Sequence, residues 1–116
     1  MSTITVTNIK ATGETASRAA TGVAASYAQV DGDPVGLNAS FNVASATDVA
    51  TGRFDIAFTN NMSAATYAVP AETDVQAMRI ESGLITASGF RVTTEVTAGT
   101  DVDATYAMFA THGDLA

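Results

Sequence analysis

Residues 53–59, RFDIAFT, alternate apolar and polar side chains with a period of two: Phe54, Ile56 and Phe58 fall on one side, Arg53, Asp55 and Ala57 on the other. That period belongs to a half-buried strand, whose successive side chains point to opposite faces. Residues 37–47, LNASFNVASAT, repeat it, with Leu37, Ala39, Phe41 and Val43 opposed to Asn38, Ser40 and Asn42. Residues 90–96 do the same, with Phe90, Val92, Thr94 and Val96 opposed to Arg91, Thr93 and Glu95. Shorter β-rich runs lie at 3–9 (TITVTNI), 23–30 (VAASYAQV), 66–69 (TYAV, stopped by Pro70) and 83–89 (GLITASG). Residues 75–80 fit either a strand or a short loop. In 104–113, Tyr106, Met108 and Ala110 oppose Ala107, Phe109 and Thr111, which predicts a strand covered on both faces.

Turn chemistry separates these runs. DGDPVG at 31–36 joins Asp-Gly to a proline that cannot donate a ladder hydrogen bond, and DVATG at 48–52 is short enough for a hairpin. The pattern predicts an all-β chain, an antiparallel β-sandwich of about eight strands. Residues 1–22 are expected to form a short N-terminal strand and an attachment or oligomerisation arm, because 10–22 is small and polar with no apolar stripe to hold a helix. Residues 23–116 are the sandwich.

Composition changes this picture in two respects. Alanine inflates the 47% hydrophobic share, so the core depends on 5 Phe, 3 Tyr, 4 Met and the branched aliphatics. A core of that size makes self-association a natural way to bury more surface. Charged residues make up 15% of the chain, against roughly 25% in an average soluble domain. The short polar side chains that fill the surface lose little entropy in a contact.

The net charge of −7 and the single, scattered positions of Lys10, Arg18, Arg53, Arg79 and Arg91 argue against nucleic acid, whose phosphates require clustered cations. The absence of cysteine excludes disulfides and thiolate zinc sites. The amino terminus has no basic segment followed by an apolar run, and no uncharged stretch matches a membrane-spanning helix. Membrane insertion is therefore not expected.

Candidate chemistry is sparse. His112 is the single histidine; without a nucleophile elbow it reads as a surface or interface residue, with a metal shared on a trimer axis as the sharper alternative. The pairs Asp31/Asp33 and Asp101/Asp103 offer oxygen ligands of the kind calcium takes, yet neither continues into an EF-hand loop, and Asp with Gly is ordinary turn chemistry. Tyr27, Tyr67 and Tyr106 are rings able to stack on sugars, although their place in alternating strands favours packing. The triplets at Asn38 and Asn61 match a glycosylation pattern that occurs often by chance. No catalytic, cofactor-binding or metal site emerges, no cofactor is expected, and the chain does not read as an enzyme.

ASFNVASAT at 39–47, TGRFDIAFT at 51–59, Met62 and ATYAV at 65–69 together make 26–69 resemble a module of tailed-bacteriophage fibre proteins, especially those of marine phages. ATYAMFATHG at 104–113 sits where that family ends in a buried strand. Tyr27 stands where the family usually has Trp, and QVDGDPVG replaces its Asn-Gly-Thr-Gly turn. The resemblance implies a virion protein and a homotrimer, a fibre or spike module in host attachment whose partners are itself, other tail or capsid proteins and a host-surface glycan or protein. A chain of this length has no room for a long shaft, so the alternative is a capsid decoration or head-fibre protein clamped by its arm. A free carbohydrate-binding module ranks behind both. Phe54, Ile56, Phe58, Met62 and Tyr67 are expected to form one layer of core.

Overall fold

The structure, a computed structural model, describes residues 2–9, 12–13, 18–19, 23–97 and 99–116. It is all-β, and two antiparallel sheets pack as a sandwich. One sheet is ordered β4 (Val35–Phe41), β3 (Ser26–Gly32), β11 (Tyr106–Thr111) and β7 (Ala71–Thr73). The other runs β10 (Thr100–Asp101), β9 (Gly89–Thr97), β6 (Arg53–Phe58) and β5 (Val43–Ala50), with β8 (Ala77–Ile80) also paired to β9. Thr94 donates its amide to the Gly52 carbonyl at 2.8 Å and accepts from the Val102 amide at 2.9 Å. Hence β6 and β10 share one edge of β9, which leaves the opposite edge to β8. Two short strands, β1 (Asn8–Ile9) and β2 (Arg18–Ala19), form a separate two-stranded sheet.

The core lies where the inward positions of both sheets meet. Val30, Phe54, Ile56, Phe58, Met62, Phe90, Val92 and Phe109 are buried in one cluster, against which Leu37, Tyr67, Met78 and Ile80 pack. Phe90 and Phe109, from opposite sheets, meet edge to face at 5.0 Å, the arrangement that the ring quadrupole favours. The expected core layer of Phe54, Ile56, Phe58, Met62 and Tyr67 is present. A buried polar contact ties the two inner strands of the four-stranded sheet together at one end: the hydroxyls of Ser26 and Thr111 hydrogen-bond at 2.7 Å. Gly89 lies so close to the Ile56 carbonyl that any Cβ there would overlap it, so β6 and β9 approach at a point only glycine permits.

Several sequence expectations need correction. Residues 37–47 do not form one strand, because the alternation is broken twice. Asn38 takes an extra position in the pairing of β4 with β3, where Ala39 faces Gln29 but Leu37 faces Val30; such a bulge moves the following side chains to the other face. Asn42 then adopts φ 55° and ends the strand, a left-handed conformation that asparagine tolerates better than most residues. Leu37 and Val43 therefore point inward while Phe41 is 52% exposed.

In residues 3–9 only Asn8–Ile9 is strand, and most of the expected arm at 10–22 lies outside the described residues. Residues 66–69 form a single bridge, Ala68 to His112, and the strand comes after Pro70 as β7. Residues 83–89 make a 3-10 turn (Ser82–Leu84) and a tight reversal in place of a strand. The strand β11 is covered on one face only: Ala107, Phe109 and Thr111 are buried, whereas Met108 is exposed. Val96, expected inward, is exposed, and Thr93 and Glu95, expected outward, are buried.

Candidate interaction face

Strand alternation and register build the outer face of the four-stranded sheet residue by residue. Ala28 and Val30 point into the core, so Tyr27, Gln29 and Asp31 point out. Tyr27 lies opposite Phe41 and Ala110, Gln29 opposite Ala39 and Met108, and Asp31 opposite Gly36 and Tyr106. Three cross-strand rows result. The first is aromatic: the Tyr27 and Phe41 rings stack with centroids 5.9 Å apart and planes 25° from parallel, while Tyr27 stays 49% exposed. The second row ends beside Glu72 of β7, opposite Met108.

At its far end the face becomes acidic. Asp31 near the end of β3 and Asp33 of the β3–β4 turn meet Asp103, Ala104 and Thr105 around a cleft of about 460 Å³. The two acidic turns singled out in the sequence thus come together in part. Asp101 is elsewhere, paired with Arg53 at 2.6 Å. Two of the cleft carboxylates already have structural partners: Asp31 accepts from the Asn38 amide group and Asp103 from the Gly52 backbone amide, both at 2.6 Å. Among the described residues no group of three or more His, Cys, Asp or Glu side chains is placed to hold a metal ion. The acidic turns work as braces, with Asp103 holding the β5–β6 turn at Gly52, whose φ of 67° and contacts with Thr94 and Val102 leave no room for a Cβ.

The remaining candidates are dispersed. His112 is half-buried just beyond β11, and its backbone exchanges both hydrogen bonds with Ala68 at 2.9 and 3.0 Å. Tyr67 is internal: its hydroxyl lies 2.9 Å from the carbonyl oxygens of both Thr86 and Gly89, and its ring packs on Phe58 and Phe90. Burial pushes that phenol up to about 12. Tyr106 is half-buried on the edge of the acidic cleft's approach, with its amide donated to Asp74 at 3.2 Å. Asn38 and Asn61 are both exposed, and the Asn61 carbonyl accepts from the Ala116 amide.

The outer face of the five-stranded sheet is chemically opposite. Arg91 grips Asp55 through two bonds of 2.6 and 2.9 Å, and Arg53 pairs with Asp101. Arg79 Nη2 stands 3.1 Å from Glu95 Oε1, which has no hydrogen bond in the strict geometric sense, so this is a charge contact. Thr93 lies between Arg53 and Arg79 in register on its two flanks and donates to Glu81 at 2.7 Å. Long arginine stems over the pleat account for the burial of Thr93 and Glu95. The Arg91 guanidinium holds the Asp55 carboxyl below its ordinary range by its hydrogen bond and, to a lesser extent, its charge.

Sequence reasoning missed Phe41 as a surface residue. Asn38 and Asn42, three and one residues before and after it, carried the signal, since both are turn and bulge formers within an otherwise regular run. No protein-family model matches the chain, and no match was found to a curated protein or a solved structure.

Proposed function

We propose that the chain is a structural component of a phage virion: a fibre or spike module, homotrimeric, that presents its sandwich to the host surface. The observation that carries the reading is the outer face of β4, β3, β11 and β7, which exposes Tyr27, Phe41 and Met108 and contains no Lys or Arg. An exposed aromatic pair on a rigid sheet is a contact surface of low entropic cost, suited to a sugar ring or an apolar protein patch. Repetition of a weak contact over three copies and several fibres raises avidity without any new chemistry. The resemblance at 26–69 gives the contact its setting.

A second reading, a capsid decoration or head-fibre protein, draws on a different feature. Residues 2–8 are all exposed, and Ile4 is 86% exposed. A segment whose Ile4 side chain is left almost wholly uncovered by its own chain suits an arm that becomes covered in an assembly. Immunogold labelling of intact particles with an antibody to this chain separates the two. Label at the distal tail supports host attachment, label over the head supports decoration, and unlabelled particles overturn both.

A further inference from the structure

We infer that residues 2–7 of one copy add as a strand to the open edge of β4 in a neighbouring copy, so that the chain assembles by arm exchange. This deepens the self-association in the reading above and rests on that part of it, independently of any virion.

Natural sheets blunt exposed edges with charges, proline, bulges or brevity, because unpaired backbone groups recruit foreign strands. β7 has 3 residues, contains Glu72 and follows Pro70; β8 has 4 and contains Arg79. β5 contains Asp48, and its pairing with β6 shifts register at two places. β4, VGLNASF, has 7 residues without charge or proline and a single irregularity at Asn38. Among the described strands it is the long edge left least protected.

Thr3, Ile4, Thr5, Val6 and Thr7 are β-branched and alternate apolar with polar, the composition that fits a pleated surface. Six extended residues reach about 20 Å, close to the span of about 23 Å for the seven of β4. Ile4 and Val6 share one face of such a strand, and beside β4 that face can continue the apolar row of Ala39 and Phe41. In a chain of net charge −7, residues 2–9 and β4 carry no charge at all, so two copies meet there without like-charge repulsion.

Val6 and Thr7 line a groove of about 470 Å³ with Val23, Ala25 and Leu115 among others. The Asn42 side chain at the end of β4 donates to the Ala25 carbonyl at 3.1 Å. The root of the arm and the Phe41 end of the open edge therefore lie at the same end of the sandwich. Each arm passing to the next copy makes a head-to-tail contact, which closes as a ring in a trimer.

Two variants and a crosslink test the inference in the full chain. Ile4→Asp with Val6→Asp, and separately Ala39→Lys, are read by sedimentation velocity at micromolar concentration beside a thermal melt. Both are expected to raise the dissociation constant about tenfold or more, as loss of an apolar burial or an edge contact requires, with the melt still cooperative and lowered only by the association that is lost. The natural chain lacks cysteine, so Ile4→Cys and Ala39→Cys proteins mixed under oxidation should give a covalent heterodimer. An oligomer unmoved by both variants and uncrosslinked in the mixture overturns arm exchange and leaves self-association standing. A wild-type monomer at micromolar concentration overturns both.

Discussion

The two outer faces of the sandwich share strand geometry but differ in chemistry. On the five-stranded sheet, Arg53, Arg79 and Arg91 are each joined to a carboxylate on another strand, Asp101, Glu95 and Asp55. On the four-stranded sheet there is no cation, and the central feature is the Tyr27–Phe41 stack. Cross-strand ion pairs contribute little each when exposed, yet they satisfy a face toward water and discourage adhesion. The bare face lacks that guard. The contrast separates a face of paired charges from one that leaves apolar rings exposed, a distinction that composition alone could not draw.

Changes beneath both faces have the largest expected effect. Ile56→Asp puts a charge between the sheets and should abolish cooperative unfolding altogether, while Phe90→Ala should cost about 3–5 kcal/mol in denaturant titration through the cavity it leaves. Gly52→Ala meets Thr94 and Val102 backbone atoms at 2.7 Å from a positive-φ residue, and about 1–3 kcal/mol is expected by the same measurement. On the guarded face, Arg79→Ala leaves buried Glu95 without its cation and should cost about 1–3 kcal/mol, more than Arg91→Ala.

Two pH dependences sharpen the comparison. Asp55 has a lowered pKa in the fold, so its pair contributes above the unfolded value near pH 4 and the contribution is lost as pH falls through the lower folded value. Asp55→Asn should remove that acid-side loss from melting curves. Tyr67 runs the other way. Its folded pKa is raised to about 12, so the contribution is complete below the unfolded value of about 10 and fades as pH rises from there. Absorbance titration at alkaline pH should show one late phenol that Tyr67→Phe abolishes. The smallest stability effect belongs to the open face: Tyr27→Ser and Phe41→Ser should stay within about 1 kcal/mol of wild type while weakening any contact made there.

The sandwich was legible in the sequence wherever one strand kept a regular partner. Phe54, Ile56 and Phe58 of β6 obey their period because the strand has neighbours on both sides and no bulge within its pairing to β9. Legibility failed where topology overrides period. A bulge at Asn38 and a left-handed Asn42 turned Phe41 outward, and strands on both flanks of β9 buried Thr93 and Glu95 on the face that alternation leaves wet. The meeting of Asp31 and Asp33 with Asp103 was equally hidden, since it depends on which loops share an end of the sandwich.

Asn42 has a mechanical consequence. It is the single residue between β4 and β5, the exposed edges of the two sheets, and its side chain is tied to Ala25 before β3 and to Asn60 after β6. A tug applied along β4 reaches this knot before it reaches the second sheet, and there it is divided among four segments of backbone. Force that would unzip a lone edge strand one bond at a time is instead resisted by both layers in parallel, a property that suits a module anchored through its rim.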